Sequence, residues 1–103
     1  MNNYYKVVTT DLKSLGLRNN PTILSYPINK WVYEKNKLLF NKSDNGGIWV
    51  TNSYSNAKGL SRYMLKKHKK QTRIFKCDID GILYSNSYRT KVASVKLLYE
   101  IKG

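Results

Sequence analysis

The sequence is short of acid, of cysteine, of histidine and of long apolar runs. Each shortage excludes a class of function. One cysteine, Cys77, can neither close an internal disulfide nor supply a multi-cysteine zinc site. One histidine, His68, with that one cysteine is the smallest set for a thiol–imidazole couple, and nothing in the spacing brings the two together. No segment is apolar for long enough to span a bilayer, and no secretory leader pattern is present. With no disulfide framework either, the cytoplasm is the expected location and a membrane is not an expected partner. No phosphate-binding glycine loop is present, because Gly46-Gly47 lacks the rest of any such motif. Asp78 and Asp80 flank a glycine turn signal and resemble a metal-binding pair. Without a third carboxylate nearby a turn is the better reading, so neither metal nor cofactor is expected.

The shortage of acid has the largest consequence. The 103 residues hold 19 Lys plus Arg against 6 Asp plus Glu, a net charge of +13. An AT-rich genome supplies Lys, Asn, Tyr and Ile codons in plenty, but it does not make acidic residues scarce. Charge of one sign repels itself and costs stability, and a polyanionic partner relieves that cost. Phosphate backbones are the commonest such partner. An acidic host protein is the other partner that the charge would suit, and charge serving solubility alone needs no partner.

What is present describes a folded chain. The hydrophobic fraction is 41%, with nine Tyr, two Phe and two Trp. The length fits a single domain over residues 1–103. Tyr4 to Val8 reads as a strand, Asp11 to Leu17 as a short helical turn, and Arg18 to Pro21 as a loop. Ile23 to Tyr26 is extended. Trp31 to Glu34 and Leu38 to Phe40 are short strands, and Ser43 to Gly47 is a tight turn. Ile48 to Thr51 returns as a core strand. Trp31 and Trp49 read more readily as core residues than as ligand platforms, although Trp49 could face either side of its strand.

Ser55 to Lys70 is the one convincing helix. Ser55 is the expected cap, and Ala57, Leu60, Met64 and His68 form the buried face. Gly59 weakens the helix by about 1 kcal/mol relative to alanine. Arg73 to Ile79 alternates, with Arg73, Phe75, Cys77 and Ile79 on one face. Asp80-Gly81 turns the chain, and Ile82 to Tyr84 is a short strand. Val92 to Ile101 is the longest strand, with Ala93, Val95, Leu97, Tyr99 and Ile101 pointing one way. The expected fold is α+β: one mainly antiparallel sheet with a single main helix, about 55–70, packed on it.

The basic residues then acquire places. Lys58, Arg62, Lys66 and Lys69 or Lys70 recur at about four residues and form a stripe opposite the apolar face, suited to a row of phosphates. No acidic residue occurs from Ser55 to Lys76, whereas a merely solvated helix mixes signs to gain i,i+4 pairs. A second group is Arg89 and Lys91, with Lys96 further on. Tyr88 beside Arg89 is a candidate for stacking on a base. Lys6, Lys13 and Arg18 form a third, sparser group. Cys77 is most simply a small buried hydrophobe.

Two resemblances accompany this reading. The opening Tyr4-Tyr5-Lys6-Val7-Val8, the Gly47-Ile48-Trp49-Val50-Thr51 strand feeding the helix, and Arg73-Ile74-Phe75-Lys76 resemble small uncharacterised proteins of phages and archaeal viruses. The Tyr, Lys and Asn richness is similar to that of hypothetical proteins of filamentous crenarchaeal viruses. This resemblance implies a viral host-takeover or genome-handling role. The order of a strand, a Gly-aromatic-Val-Thr strand, a helix and further strands also resembles the core of ADP-ribosyltransferase-like domains. That resemblance implies an enzyme using Glu100 with Lys6 or Tyr5, Lys6 standing where the family has His or Arg. The leading expectation is a non-enzymatic nucleic-acid-binding protein, with Lys58, Arg62, Lys66, Lys69, Lys70, Arg89 and Lys91 meeting backbone phosphates. A homodimer would double the footprint of so small a domain.

Overall fold

Segments rich in β-branched and aromatic residues become strands of one antiparallel sheet. The computed structural model describes residues 3–16, 23–33 and 47–102. Its elements are β1 (Tyr4–Thr9), β2 (Trp31–Tyr33), β3 (Ile48–Thr51), α1 (Tyr54–His68), β4 (Thr72–Ser85) and β5 (Arg89–Ile101). This is the α+β architecture expected from the sequence. The expected Arg18–Pro21 loop, the Leu38–Phe40 strand and most of the Ser43–Gly47 turn lie outside the described residues.

The strand order is β2-β5-β3-β1-β4, and β4 pairs in addition with β5. That extra pairing joins the ends of the run β5-β3-β1-β4, so four strands close into a ring. β2 is added where β5 extends past β3: Val92 to Arg89 pair with β3, and Lys96 to Ser94 pair with β2. Closing a sheet removes edges and gives it an inside. Val8, Tyr26, Ile48, Val50, Phe75, Cys77, Val92, Val95 and Leu97 form the buried cluster there. Val7, Ala57 and Met64 are buried in a second layer, where α1 lies over β1, β4 and β3. No helix among the described residues is long and apolar enough to cross a membrane.

Four expectations are corrected. The Asp80-Gly81 turn does not form, and β4 runs through it. Gly81 has a φ of 73° inside the strand, and a Cβ there would come within 2.9 Å of the Ala93 Cβ. The glycine therefore admits a close approach of β5 and does not end the strand. The chain reverses instead at Asn86–Tyr88. On β5, Cys77 faces Leu97 but Lys76 faces Tyr99, so Leu98 is an extra residue. A bulge reverses the alternation: Leu97 is 1% exposed and Tyr99 is 57% exposed. Residues 11–16 form no helix. Leu12 takes a φ of 61°, and Lys13 bridges to Ser25.

The fourth correction concerns α1. Ser53, not Ser55, is its cap, in extended backbone and accepting from the Asn56 N–H at 3.1 Å. Ala57 and Met64 are buried and Leu60 is half-buried, but His68 is exposed with its ring edge against Tyr63. Leu65 to His68 are all exposed, so the last turn overhangs the sheet. Lys69 ends the helix in the left-handed region, its N–H bonded to the Leu65 carbonyl at 3.1 Å. Ser53→Ala is expected to cost about 1 kcal/mol and Ser55→Ala no more than a few tenths. Urea denaturation of the two variants checks the assignment, and equal losses would refute it.

Candidate functional site

On α1, Lys58, Arg62 and Lys66 are exposed. Steps of four residues advance about 40° round a helix, so the three form a gently inclined stripe. Lys69 and Lys70 are exposed too, but they lie beyond the last helical residue and extend the stripe as a loop. Among the described residues the ion pairs are Lys13–Asp11 and Arg73–Glu100. Neither involves the helix.

Beside the stripe, a cleft of about 320 Å³ opens between α1 and the ends of β4 and β5. Lys58, Ser61 and Arg62 line its helical wall, and Arg73, Glu100 and Lys102 line the other. Ser61 Oγ and Thr72 Oγ1, 2.6 Å apart, tie the two walls together. Arg73 donates to Glu100 Oε1 at 2.8 Å and to the Thr10 carbonyl at 3.3 Å. The guanidinium hydrogen bond holds the Glu100 carboxyl below its ordinary range and raises Arg73 above its own. The single carboxylate of the cleft is thus ionised and occupied by one of four cations. Above the cleft, Lys58 Nζ lies 5.5 Å from the Tyr54 ring centroid, Tyr54 packs on Tyr5, and Lys76 Nζ lies 5.6 Å from Tyr5. Arg73 and Lys102 were not legible as site residues. The only hint was that Arg73 falls within the stretch lacking acid.

The other basic group lies on the opposite flank of α1. Tyr88 stands at the tip of the β4–β5 hairpin and is 69% exposed. The Arg89 guanidinium stacks 4.0 Å from the centroid of Trp49, whose ring meets the edge of Tyr84 at 5.9 Å. Trp49 is therefore only half-buried, on the face away from Ile48 and Val50, and Trp31 on β2 is exposed. Neither tryptophan fills the core: ring closure gives the inside to Ile48 and Val50, the neighbours of Trp49, and β2, which carries Trp31, lies outside the ring. Lys91 is also corrected. It is 1% exposed, placed in register between Trp49 and Tyr84, and does not extend a docking surface with Arg89.

The residues an ADP-ribosyltransferase-like reading would use are not brought together. Lys6 is 8% exposed, donates to the Trp49 carbonyl at 2.7 Å and lies 5.2 Å from the Tyr26 ring centroid. In register, Lys6 faces Phe75 and Phe75 faces Glu100, so a phenylalanine stands between the two. Tyr5 packs against Tyr54, the ring planes tilted by 50°. Burial pushes the Cys77 thiol up to about 12, Lys6 and Lys76 pulling it down less strongly and Asp78 raising it. It stays protonated near neutrality, inside the ring, while His68 stands exposed at the end of α1. Asp78 and Asp80 are exposed strand residues. Among the described residues, no three His, Cys, Asp or Glu side chains gather to hold a metal.

Compared with protein-family models, with curated proteins and with solved structures, the chain matches none.

Proposed function

We propose that the protein binds nucleic acid through backbone phosphates, without transforming it. The observation that carries this reading is the arrangement of cations on α1. Lys58, Arg62 and Lys66 are exposed, belong to no ion pair among the described residues, and adjoin a cleft that adds Arg73 and Lys102. Four residues of helix rise about 6 Å, and one strand of a duplex offers a phosphate about every 3.4 Å of axis, so charges at this spacing meet alternate phosphates. Among the described residues the acids are spent or remote: Asp11 on Lys13, Glu100 on Arg73, and Asp78 and Asp80 along β4. Lys69, Lys70 and Arg89 extend the surface at its two ends. In this reading the protein works in the cytoplasm, and backbone contacts dominate over base sequence.

The test is a salt titration. Four or five phosphate contacts predict that the logarithm of the duplex association constant falls against log salt with a slope of about −4, measured by fluorescence anisotropy from about 50 to 300 mM salt. Undetectable binding of duplex and single strand alike at low salt, or a slope near zero for both, overturns the reading.

A further inference from the structure

The hairpin tip between β4 and β5 is held more tightly than a surface loop requires. Asn86 Oδ1 accepts from the backbone N–H groups of Tyr88 at 2.9 Å and Arg89 at 3.0 Å. The Tyr88 carbonyl accepts from the Asn52 N–H at 3.0 Å and from Asn56 Nδ2 at 3.2 Å. Asn52 closes the network: its Nδ2 donates to the Asn86 carbonyl at 2.7 Å, and its Oδ1 accepts from Thr90 Oγ1 at 2.7 Å. Three asparagines and a threonine therefore fasten the tip to the start of α1.

The ring that this network holds in place takes no part in it. Tyr88 is the most exposed of the large apolar side chains among the described residues, and no ring contact or side-chain hydrogen bond engages it there. An exposed tyrosine on a loose loop is ordinary. One on a fastened loop is preorganised, because binding to it orders little further chain.

We propose that Tyr88 is a stacking platform for an unpaired base, and that the nucleic acid bound is single-stranded. This rests on the phosphate-binding reading above and specifies its ligand. Bases inside a duplex have both faces covered by neighbours. A single ring standing off the surface finds an open base face only on a single strand, and every base offers one. The second element is position. Asn56, which holds the tip, and Lys58, which lines the cleft, are about 160° apart round α1. A strand crossing the first turns of the helix lays phosphates on Lys58 and Arg62 and a base on Tyr88. An α-helix with its side chains is about 10 Å across, which sets the scale of such a crossing.

The experiment compares Tyr88→Ala and Tyr88→Phe with the wild type on a mixed-sequence single-stranded oligonucleotide and on the matching duplex, each across a salt series. Stacking predicts that the alanine variant loses about 5- to 150-fold on the single strand. The phenylalanine variant keeps its affinity, and neither changes duplex affinity or salt slope. An alanine variant that matches wild type on the single strand overturns the proposal, as does an equal loss on the duplex. If both forms bind with steep salt dependence and Tyr88 is indifferent, only the stacking proposal fails. If neither form binds at low salt, the phosphate-binding reading fails and takes this proposal with it.

Discussion

Reversing Lys58, Arg62 and Lys66 to glutamate together will lower nucleic-acid affinity by about 10²- to 10³-fold at 0.1 M salt, with the deficit shrinking toward 1 M. The size follows from counterion release. Each phosphate neutralised contributes about 0.9 to the slope of log affinity on log salt, so three lost contacts flatten a duplex slope by about 2.7. The same 2.7 decades separate the affinities a tenfold dilution below 1 M. The fold should survive the change. All three side chains are exposed on α1, and the wild type carries a self-repelling +13. Only Lys66, in the last turn, complements the helix dipole, a loss of roughly 0.3–1 kcal/mol. Lys30 and Lys96, on the β2 side of the sheet, are the control. Their reversal lowers net charge but leaves α1 intact, and beyond a screening length of about 10 Å at 0.1 M salt its effect is small. Anisotropy titrations of both variants decide the matter. If the two variants lose equally, the charge acts diffusely and α1 is not the contact surface.

Leu97→Ala will destabilise the protein by about 2–5 kcal/mol, while Tyr99→Ala will change it by no more than about 0.5 kcal/mol. Strict alternation along β5 puts both side chains on one face and predicts comparable losses. The bulge at Leu98 separates them. Leu97 faces Cys77 within the buried cluster, whereas Tyr99 faces Lys76 on the other side and is largely in solvent. A domain has a total stability of about 5–15 kcal/mol, so the leucine variant loses a substantial share of it. Urea denaturation with a constant slope on denaturant measures both. A Tyr99→Ala loss as large as that of Leu97→Ala would place Tyr99 inside and remove the bulge.

The bulge also shows where the sequence stops being legible. Alternation over Arg73 to Ile79 put Phe75 and Cys77 in the core, because period two holds while a ladder is regular. One extra residue leaves composition and local pattern unchanged, so Leu98 gave no warning. Asp80-Gly81 looked like a turn because left-handed glycine is the commonest turn device. Here the same backbone freedom serves a close approach to Ala93. Asn52, Ser53 and Ser55 are all competent caps, and packing of Ala57 and Met64 sets which one begins the helix.

The site divides in the same way. The stripe on α1 was legible because its charges are close in sequence and share one helical period. The cleft was not, because Arg73 and Lys102 reach Lys58 and Arg62 only after β4 and β5 return beneath the helix. The burial of Lys91 was equally hidden. A lysine on a strand reads as a surface residue, and only the closed ring puts Trp49 on one side of it and Tyr84 on the other.

That ring has a consequence in time. Its seam between Tyr4–Thr9 and Thr72–Cys77 joins an early segment of the sequence to a late one. β1 cannot complete its pairing until β4 has been made, and the β4–β5 hairpin can assemble without it. Such separated pairings slow folding, toward the range of about milliseconds to seconds. On the ribosome the first strand waits with an unpaired edge, and the chain becomes one cooperative unit only when its late hairpin arrives to receive it.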